Sequence, residues 1–163
     1  MYLETLKIVY YPNFNSSINY GLPFWGTSPH SKKIFRVQKR DSWIMMGCRK
    51  EVSCRNLFRK LKILPLMSPY ILSLMMFIIK NKNQFTINSE IHNIHTRQHR
   101  NLHQPTSHLT GYQHGLYYSG TRVYNNLPSH IKQFSDNPKK FELQLKKTLC
   151  LHSFYSLEEY FQQ

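Results

Sequence analysis

The side chains of this chain that could do chemistry are overwhelmingly cationic. Of 163 residues, 22 are Lys or Arg against 8 Asp or Glu, a formal net charge of +14. Eleven of those cations crowd between Lys32 and Lys62, opposed there only by Asp41 and Glu51. A stretch of this kind attracts polyanions without reading sequence, nucleic acid before an anionic membrane surface. The ordinary alternative is a solvated helix face. Acid chemistry is thin by comparison. Metal-dependent nucleotidyl transfer or hydrolysis needs carboxylates grouped around two ions about 4 Å apart, and the only two aspartates, Asp41 and Asp136, stand far apart in the chain. Glu158 and Glu159 are adjacent, but behind Ser156 they read as a helix-capping box. Serines, histidines and cysteines are plentiful, yet none sits in a nucleophile-elbow pattern, and no glycine-rich phosphate loop is present. The residues predict no enzyme and assign no catalytic side chain.

His92, His95, His99 and His103 are spaced by three and four. On a helix they would share one side, as metal ligands can. The segment around them lacks helical periodicity and ends at Pro105, so solvated histidines facing a nucleic acid are the preferred reading and no metal site is assigned. Trp25, Tyr112, Tyr117 and Tyr118 are candidates for stacking on unpaired bases. Core positions are favoured for Trp25 and Tyr117. Three cysteines, Cys48, Cys54 and Cys150, fit neither a disulfide framework nor a four-ligand zinc pattern. They point to a reducing, intracellular compartment, and the interrupted first twenty residues carry no secretion signal.

The elements that must position these groups are helical. Leu6, Val9, Tyr10, Phe14, Ser17 and Ile18 recur near helical spacing, with Pro12 expected to kink or split that helix. Tyr20 to Gly26 reads as an aromatic turn. Ser28-Pro29 is the expected start of a second helix running to about Met46, stopped by Gly47, with a stripe at Ile34, Val37, Ile44 and Met45 and with Asp41 at its rim. Ser53 caps a third helix buried through Cys54, Leu57, Phe58 and Leu61, ended by Leu64-Pro65. Ser68-Pro69 opens a fourth, Tyr70 to about Lys80, apolar almost all round. A membrane span needs about 20 apolar residues, so a central core helix is the better reading. Residues 81–111 turn polar. Helices then follow over 115–126, with Gly120 at a close approach, from Asn137-Pro138 through Phe141, Leu145, Thr148 and Leu149, and after Ser156. The chain has no alanine at all, so these helices lack the best helix former.

Several segments, in order, resemble one family. Tyr20-Gly21-Leu22-Pro23-Phe24-Trp25-Gly26 is similar to the YG-x-x-FWG motif beyond the palm of jockey-like non-LTR retrotransposon reverse transcriptases. Lys33-Ile34-Phe35 with Gln38-Lys39-Arg40 resembles their IF-x-x-QK helix. Cys54-Arg55-Asn56-Leu57-Phe58 through Leu64-Pro65-Leu66 resembles CR-x-LF-x-x-L-x-ILPL. Thr96-Arg97 with Leu102-His103-Gln104-Pro105 resembles TR…LH-x-P. Tyr117-Tyr118-Ser119-Gly120 with Val123-Tyr124-Asn125-Asn126-Leu127-Pro128 resembles YYSG…IYN-x-LP. Ser153 to Tyr160 resembles the usual end of such proteins. The likeness covers nearly the whole chain from about residue 3, with Pro12, Pro23 and Asp41-Ser42-Trp43 departing from the pattern.

The resemblance implies the thumb and post-thumb portion of an RNA-directed DNA polymerase, without the palm and its catalytic aspartates. The expected architecture is all-α: a small thumb-like helical bundle over 1–80, an irregular His/Asn-rich loop or linker over 81–111, and a C-terminal helical extension over 112–163 packing on the bundle. The expected function is sequence-tolerant binding of RNA or RNA–DNA duplex through Lys32, Lys33, Arg36, Lys39, Arg40, Arg55, Arg59 and Lys62, with no cofactor and no small-molecule substrate. Two rival readings are a drifted retroelement fragment without activity and a small membrane-associated protein using residues 70–79.

Overall fold

The computed structural model describes residues 2–93, 95–109, 111 and 115–163. Among them the chain is all-α, with one isolated antiparallel bridge, Ile87 to Leu102, as its only extended pairing. The helices are α1 Tyr2–Tyr10, α2 Ser16–Asn19, α3 Leu22–Trp25, α4 Ser31–Met46, α5 Cys54–Leu61, α6 Met67–Lys80, α7 Asn88–Ile91, α8 Leu116–Asn125, α9 Ser129–Lys132, α10 Pro138–His152 and α11 Leu157–Phe161. No helix of the described residues is long and apolar enough to cross a membrane. The chain divides into two compact units, one made of residues up to Tyr70 together with Lys146–Gln163, the other Ile71–Leu145. These boundaries differ from the expected breaks near 80 and 111. The C-terminal residues belong to the same unit as the N-terminal helices, and the polar middle segment belongs to the second.

In the first unit, Pro12 does not break the N-terminal helix. Tyr11–Asn15 form a π-helical turn that joins α1 to α2. A wider turn accommodates the missing amide, and side chains meet the loosened carbonyls: Asn13 Nδ2 donates to Val9 O at 2.9 Å, Ser17 Oγ to Asn13 O at 2.6 Å, and Ser16 Oγ to Pro12 O. Of the expected stripe, Tyr10 and Ile18 are buried and Leu6 and Phe14 half-buried, while Val9 and Ser17 face out. The helix α4 begins at Ser31, later than Ser28-Pro29 suggested, because the Ser28 carbonyl is taken by the Ser31 N–H (3.0 Å) and Oγ (2.7 Å) in a tight turn. It stops at Gly47 as expected, with φ +60° and its N–H on Ile44 O.

The buried face of α4 also differs from expectation. Val37 and Ile44 are exposed, and the buried positions are Ser31, Gln38, Ser42 and Met45. The cause is one amide. Gln38, 1 % exposed, donates through Nε2 to Leu64 O (2.9 Å) and to the Tyr10 hydroxyl (3.0 Å), and accepts through Oε1 from Leu66 N–H (2.8 Å). It thereby satisfies the Leu64 carbonyl and the Leu66 N–H on either side of Pro65, in the connection between α5 and α6. Around it the core cluster is Tyr10, Met45, Cys54, Phe58, Leu61 and Ile63, with Phe35, Trp43 and Tyr155 packed against it. The expected face of α5, Cys54, Leu57, Phe58 and Leu61, is the buried one. Asp41 is half-buried at the rim, where desolvation pushes its carboxyl up and Arg40 partly offsets that.

In the second unit, Ile71, Leu74, Met75, Ile78 and Ile79 of α6 are buried, as are Val123, Leu127, Ile131, Phe141 and Leu145. A β-carbon on Gly120 would lie 3.1 Å from Ile78 Cδ1, which is the close approach expected there. Residues 86–103 fold back on themselves: His103 N–H donates to Thr86 O (2.8 Å), Asn88 N–H to Asn101 O (2.9 Å) and Ser89 N–H to His99 O (3.0 Å). Asn125 pins the return to the end of α8, accepting from Leu102 N–H and donating to Leu102 O, both at 2.9 Å. Lys132 closes the same end by donating to Asn125 O at 2.9 Å.

Two outcomes are expected for the first unit. Gln38→Leu strands the Leu66 N–H, the Leu64 carbonyl and the Tyr10 hydroxyl together, and should cost about 2–4 kcal/mol in urea denaturation. Burial pushes the Tyr10 hydroxyl up to about 12, with the Gln38 bond working the other way. Its unfolded form ionises near 10, so the folded state keeps a proton that the unfolded state loses. Stability should fall as pH rises from about 10 to 12, and Tyr10→Phe should flatten part of that decline.

Candidate nucleic-acid interface

The eight candidate cations lie on α4, on α5 and at its C-terminal end. On α4, Lys32, Lys33, Arg36, Lys39 and Arg40 fall within an arc of roughly 120° at about 100° per residue, on the side away from Ser31, Gln38, Ser42 and Met45. The amide clamp that turns Gln38 inward therefore turns the basic arc outward. Lys32, Lys33, Arg36 and Arg40 are exposed and, among the described residues, make no ion pair within 4 Å of a carboxylate. Lys39 is half-buried, its ammonium 5.0 Å from the centre of the Phe35 ring. The ammonium so placed lies over the face of the ring.

Arg55 stands apart from the set. Its Nη2 meets both carboxylate oxygens of Glu159 at 3.0 Å, and its guanidinium lies 4.4 Å from the centre of the Tyr155 ring. Tyr155 in turn packs edge-on to Phe35 at 4.8 Å and to Phe58 at 6.3 Å. Glu159 has a double duty: its N–H donates to the Ser156 hydroxyl (3.3 Å) and its Oε2 accepts from Tyr155 N–H (3.1 Å). This is the expected cap, reaching one residue further back than a standard box. Arg55 thus ties α5 to α11. A shallow cleft of about 440 Å³ beside this pair is lined by Arg55, Arg59, His152, Phe154, Glu159, Gln162 and Gln163. Arg59 is exposed within it, and the His152 ring stacks on Phe154 at 5.1 Å.

Lys62 is the C-terminal cap of α5 and adopts φ +57°, with its own N–H on Arg59 O (3.2 Å) and Ile63 N–H on Phe58 O (3.0 Å). Glycine normally fills that position. An exposed lysine there keeps a charge at a conformational cost of about 1 kcal/mol.

The stacking candidates fare unevenly. Tyr112 lies outside the described residues. Trp25 is half-buried, with its indole N–H on Tyr20 O at 2.9 Å. Tyr118 is half-buried as well. Tyr117 packs against Phe77 and Phe85, each at 5.5 Å, and donates its hydroxyl to Gln84. Tyr117 is nonetheless 48 % exposed, against the core position expected for it, and the aromatics most open to solvent among the described residues are Tyr20, Phe24 and Tyr2. For Tyr20 and Phe24 the signal was present in the sequence: two large rings around a buried Leu22 in a Gly-Pro turn cannot all be inward.

Acidic and imidazole groups do not converge. Among the described residues no three His, Cys, Asp or Glu side chains are grouped so as to hold a metal ion. The histidines pair across the return, His92 with His103 at 5.8 Å and His95 with His99 at 6.0 Å, rather than along one helix. Asp136 is held by Lys82 at 2.8 Å, a bond that keeps its carboxyl below the usual range.

Lys62→Gly should raise the denaturation midpoint by the equivalent of about 1 kcal/mol. Gly47→Ala, at a cap of the same handedness with open space around it, should lower it by a similar amount. Compared with family models, with curated proteins and with solved structures, the chain finds no match in any of the three.

Proposed function

We propose that this protein is a non-catalytic nucleic-acid-binding module, corresponding to the thumb and post-thumb portion of a jockey-like reverse transcriptase, that grips RNA or RNA–DNA duplex without reading sequence. The observation that carries the binding reading is the charge order of α4. Lys32 and Lys33 occupy its first turn, which holds no acidic residue, and its last turn holds no basic one. That is the reverse of what the helix dipole favours, at roughly 0.3–1 kcal/mol for each misplaced charge. Lys32 and Lys33, exposed and without an ion pair among the described residues, oppose helix stability where they stand and suit a phosphate backbone that neutralises them.

Support for the family part of the reading comes from how its motifs meet. Gln38 of the IF-x-x-QK segment bonds on both sides of Pro65 in the ILPL segment. Arg55 of the CR-x-LF segment bonds Glu159 of the terminal one. Asn125 of the YN-x-LP segment brackets Leu102 of LH-x-P. Motifs distant in sequence thus complete one another's hydrogen bonds. The phosphate-binding set is then Lys32, Lys33, Arg36, Lys39, Arg40, Arg59 and Lys62, with Arg55 serving the fold.

The test is a titration of labelled RNA–DNA duplex at several salt concentrations. Log affinity should fall linearly with log salt, and replacing Lys32, Lys33, Arg36 and Arg40 with Gln together should reduce the slope by up to about 4. Arg55→Ala should lower thermal stability and leave the slope in place. A wild-type affinity indifferent to salt would reject the proposal.

A further inference from the structure

We infer that the turn from Tyr20 to Gly26 is a base-stacking platform, so that the ligand gripped by α4 includes unpaired bases and not only paired duplex. The inference rests on the nucleic-acid reading above and narrows its ligand. Tyr20 is 87 % exposed and Phe24 79 % exposed. Single exposed apolar residues are ordinary on any protein. Here two large rings project from one seven-residue turn whose backbone is fixed from several sides. Gly21 takes φ +62°, and its carbonyl accepts from Phe24 N–H at 2.9 Å. The Trp25 indole N–H holds the Tyr20 carbonyl at 2.9 Å. Leu22 is wholly buried, and a β-carbon on Gly26 would overlap the Tyr70 ring and lie 2.9 Å from the Leu22 carbonyl. With Leu22 and Gly26 pressed inward, Tyr20 and Phe24 are held outward. A pre-ordered ring loses little freedom on binding, which is what makes it useful as a contact surface.

The connection to α4 is tight. Ser28 N–H donates to Trp25 O at 2.8 Å and Ser31 N–H to Ser28 O at 3.0 Å, so successive turns carry the chain from the rings to Lys32. Fully extended, the eight residue-to-residue steps from Phe24 to Lys32 would reach roughly 28 Å, and the turns shorten that. Phosphates of a strand whose bases lie on Tyr20 and Phe24 would therefore meet Lys32, Lys33 and Arg36 nearby. Aromatic rings beside cations are how proteins hold single strands without sequence preference. A fully paired duplex offers such rings no free base face. A membrane interface is the competing occupant, but interfacial anchoring uses a continuous apolar helix face, and of the other apolar residues of the four-residue α3, Leu22 is buried and Pro23 and Trp25 are half-buried.

Three probes decide the matter in anisotropy titrations at one moderate salt concentration: a single strand, a blunt RNA–DNA duplex, and the same duplex with an unpaired extension. Wild type should favour the two probes with unpaired bases. The double variant Tyr20→Ala/Phe24→Ala should lose about tenfold or more on those two and bind the blunt duplex unchanged, while Tyr20→Phe/Phe24→Tyr should behave as wild type. If the alanine variant binds the single strand as wild type does, with salt dependence intact, the platform is overturned and the basic grip survives. If wild type shows no salt-dependent binding to any probe, both fall. If the alanine variant loses only its attachment to phosphatidylserine vesicles, the rings anchor lipid and the inference is wrong.

Discussion

A single buried amide governs the first unit. Between α5 and α6 the first-turn N–H groups of Ser68 and Tyr70 take the Pro65 and Leu66 carbonyls, which leaves the Leu64 carbonyl and the Leu66 N–H to be matched by a side chain. Gln38 provides an acceptor for one side and a donor for the other, and its second donor hydrogen reaches the Tyr10 hydroxyl. A hydrocarbon side chain of equal size would fill the space and leave those groups desolvated and unmatched. An isolated carboxylate would lose the donor. The requirement for Gln38 at depth fixes the rotation of α4 about its axis, and that rotation decides which of its residues meet solvent. Ser31 and Ser42 follow Gln38 inward because small residues let the helix seat closely, with Ser42 Oγ bonded to Gln38 O at 3.0 Å.

That constraint explains which parts of the fold were legible in the sequence. Where burial is apolar, periodicity works: Cys54, Leu57, Phe58 and Leu61 on α5, and Phe141, Leu145 and Leu149 on α10, face inward as their spacing says. On α4 the buried stripe is Ser, Gln and Ser, so an apolar count selects Val37 and Ile44 instead and lands about a third of a turn away. No local signal marks a glutamine as core. Only a partner strap 26 residues downstream does. The N-terminal helix was legible in part: Tyr10, Phe14 and Ile18, four residues apart through the π turn at Tyr11–Asn15, hold the inward face, while Val9 and Ser17, one position to the side, meet solvent.

Legibility of the candidate interface divides along similar lines. Net charge and its crowding between Lys32 and Lys62 are visible without coordinates, and so is the amphipathic split of α5. What charge alone does not reveal is commitment. Arg55 looks equivalent to Arg59 in sequence, yet one is held by Glu159 from 104 residues away and by the Tyr155 ring, while the other stands in solvent. The same holds for aromatics: Tyr117, by type a stacking residue, completes a cluster with Phe77 and Phe85 and is 48 % exposed, whereas Tyr20 and Phe24 stand almost wholly in solvent. Long-range pairing separates the residues that hold the chain together from those left to meet something else.

The composition makes this separation consequential. Without alanine, and rich in Ile, Tyr, Phe and Asn, the helices have modest intrinsic propensity and depend on tertiary partners. Gln38, Arg55 with Glu159, and Asn125 each join elements distant in sequence by two or more hydrogen bonds. Those contacts stabilise the scaffold. Some exposed cations do the opposite: Lys32 and Lys33 of α4 oppose the helix dipole, and Lys62, at the end of α5, holds a backbone conformation better suited to glycine. Residues that only stabilise are not usually placed at their least favourable positions. The arrangement makes physical sense if the charge of this surface is balanced by a polyanion rather than by the protein itself.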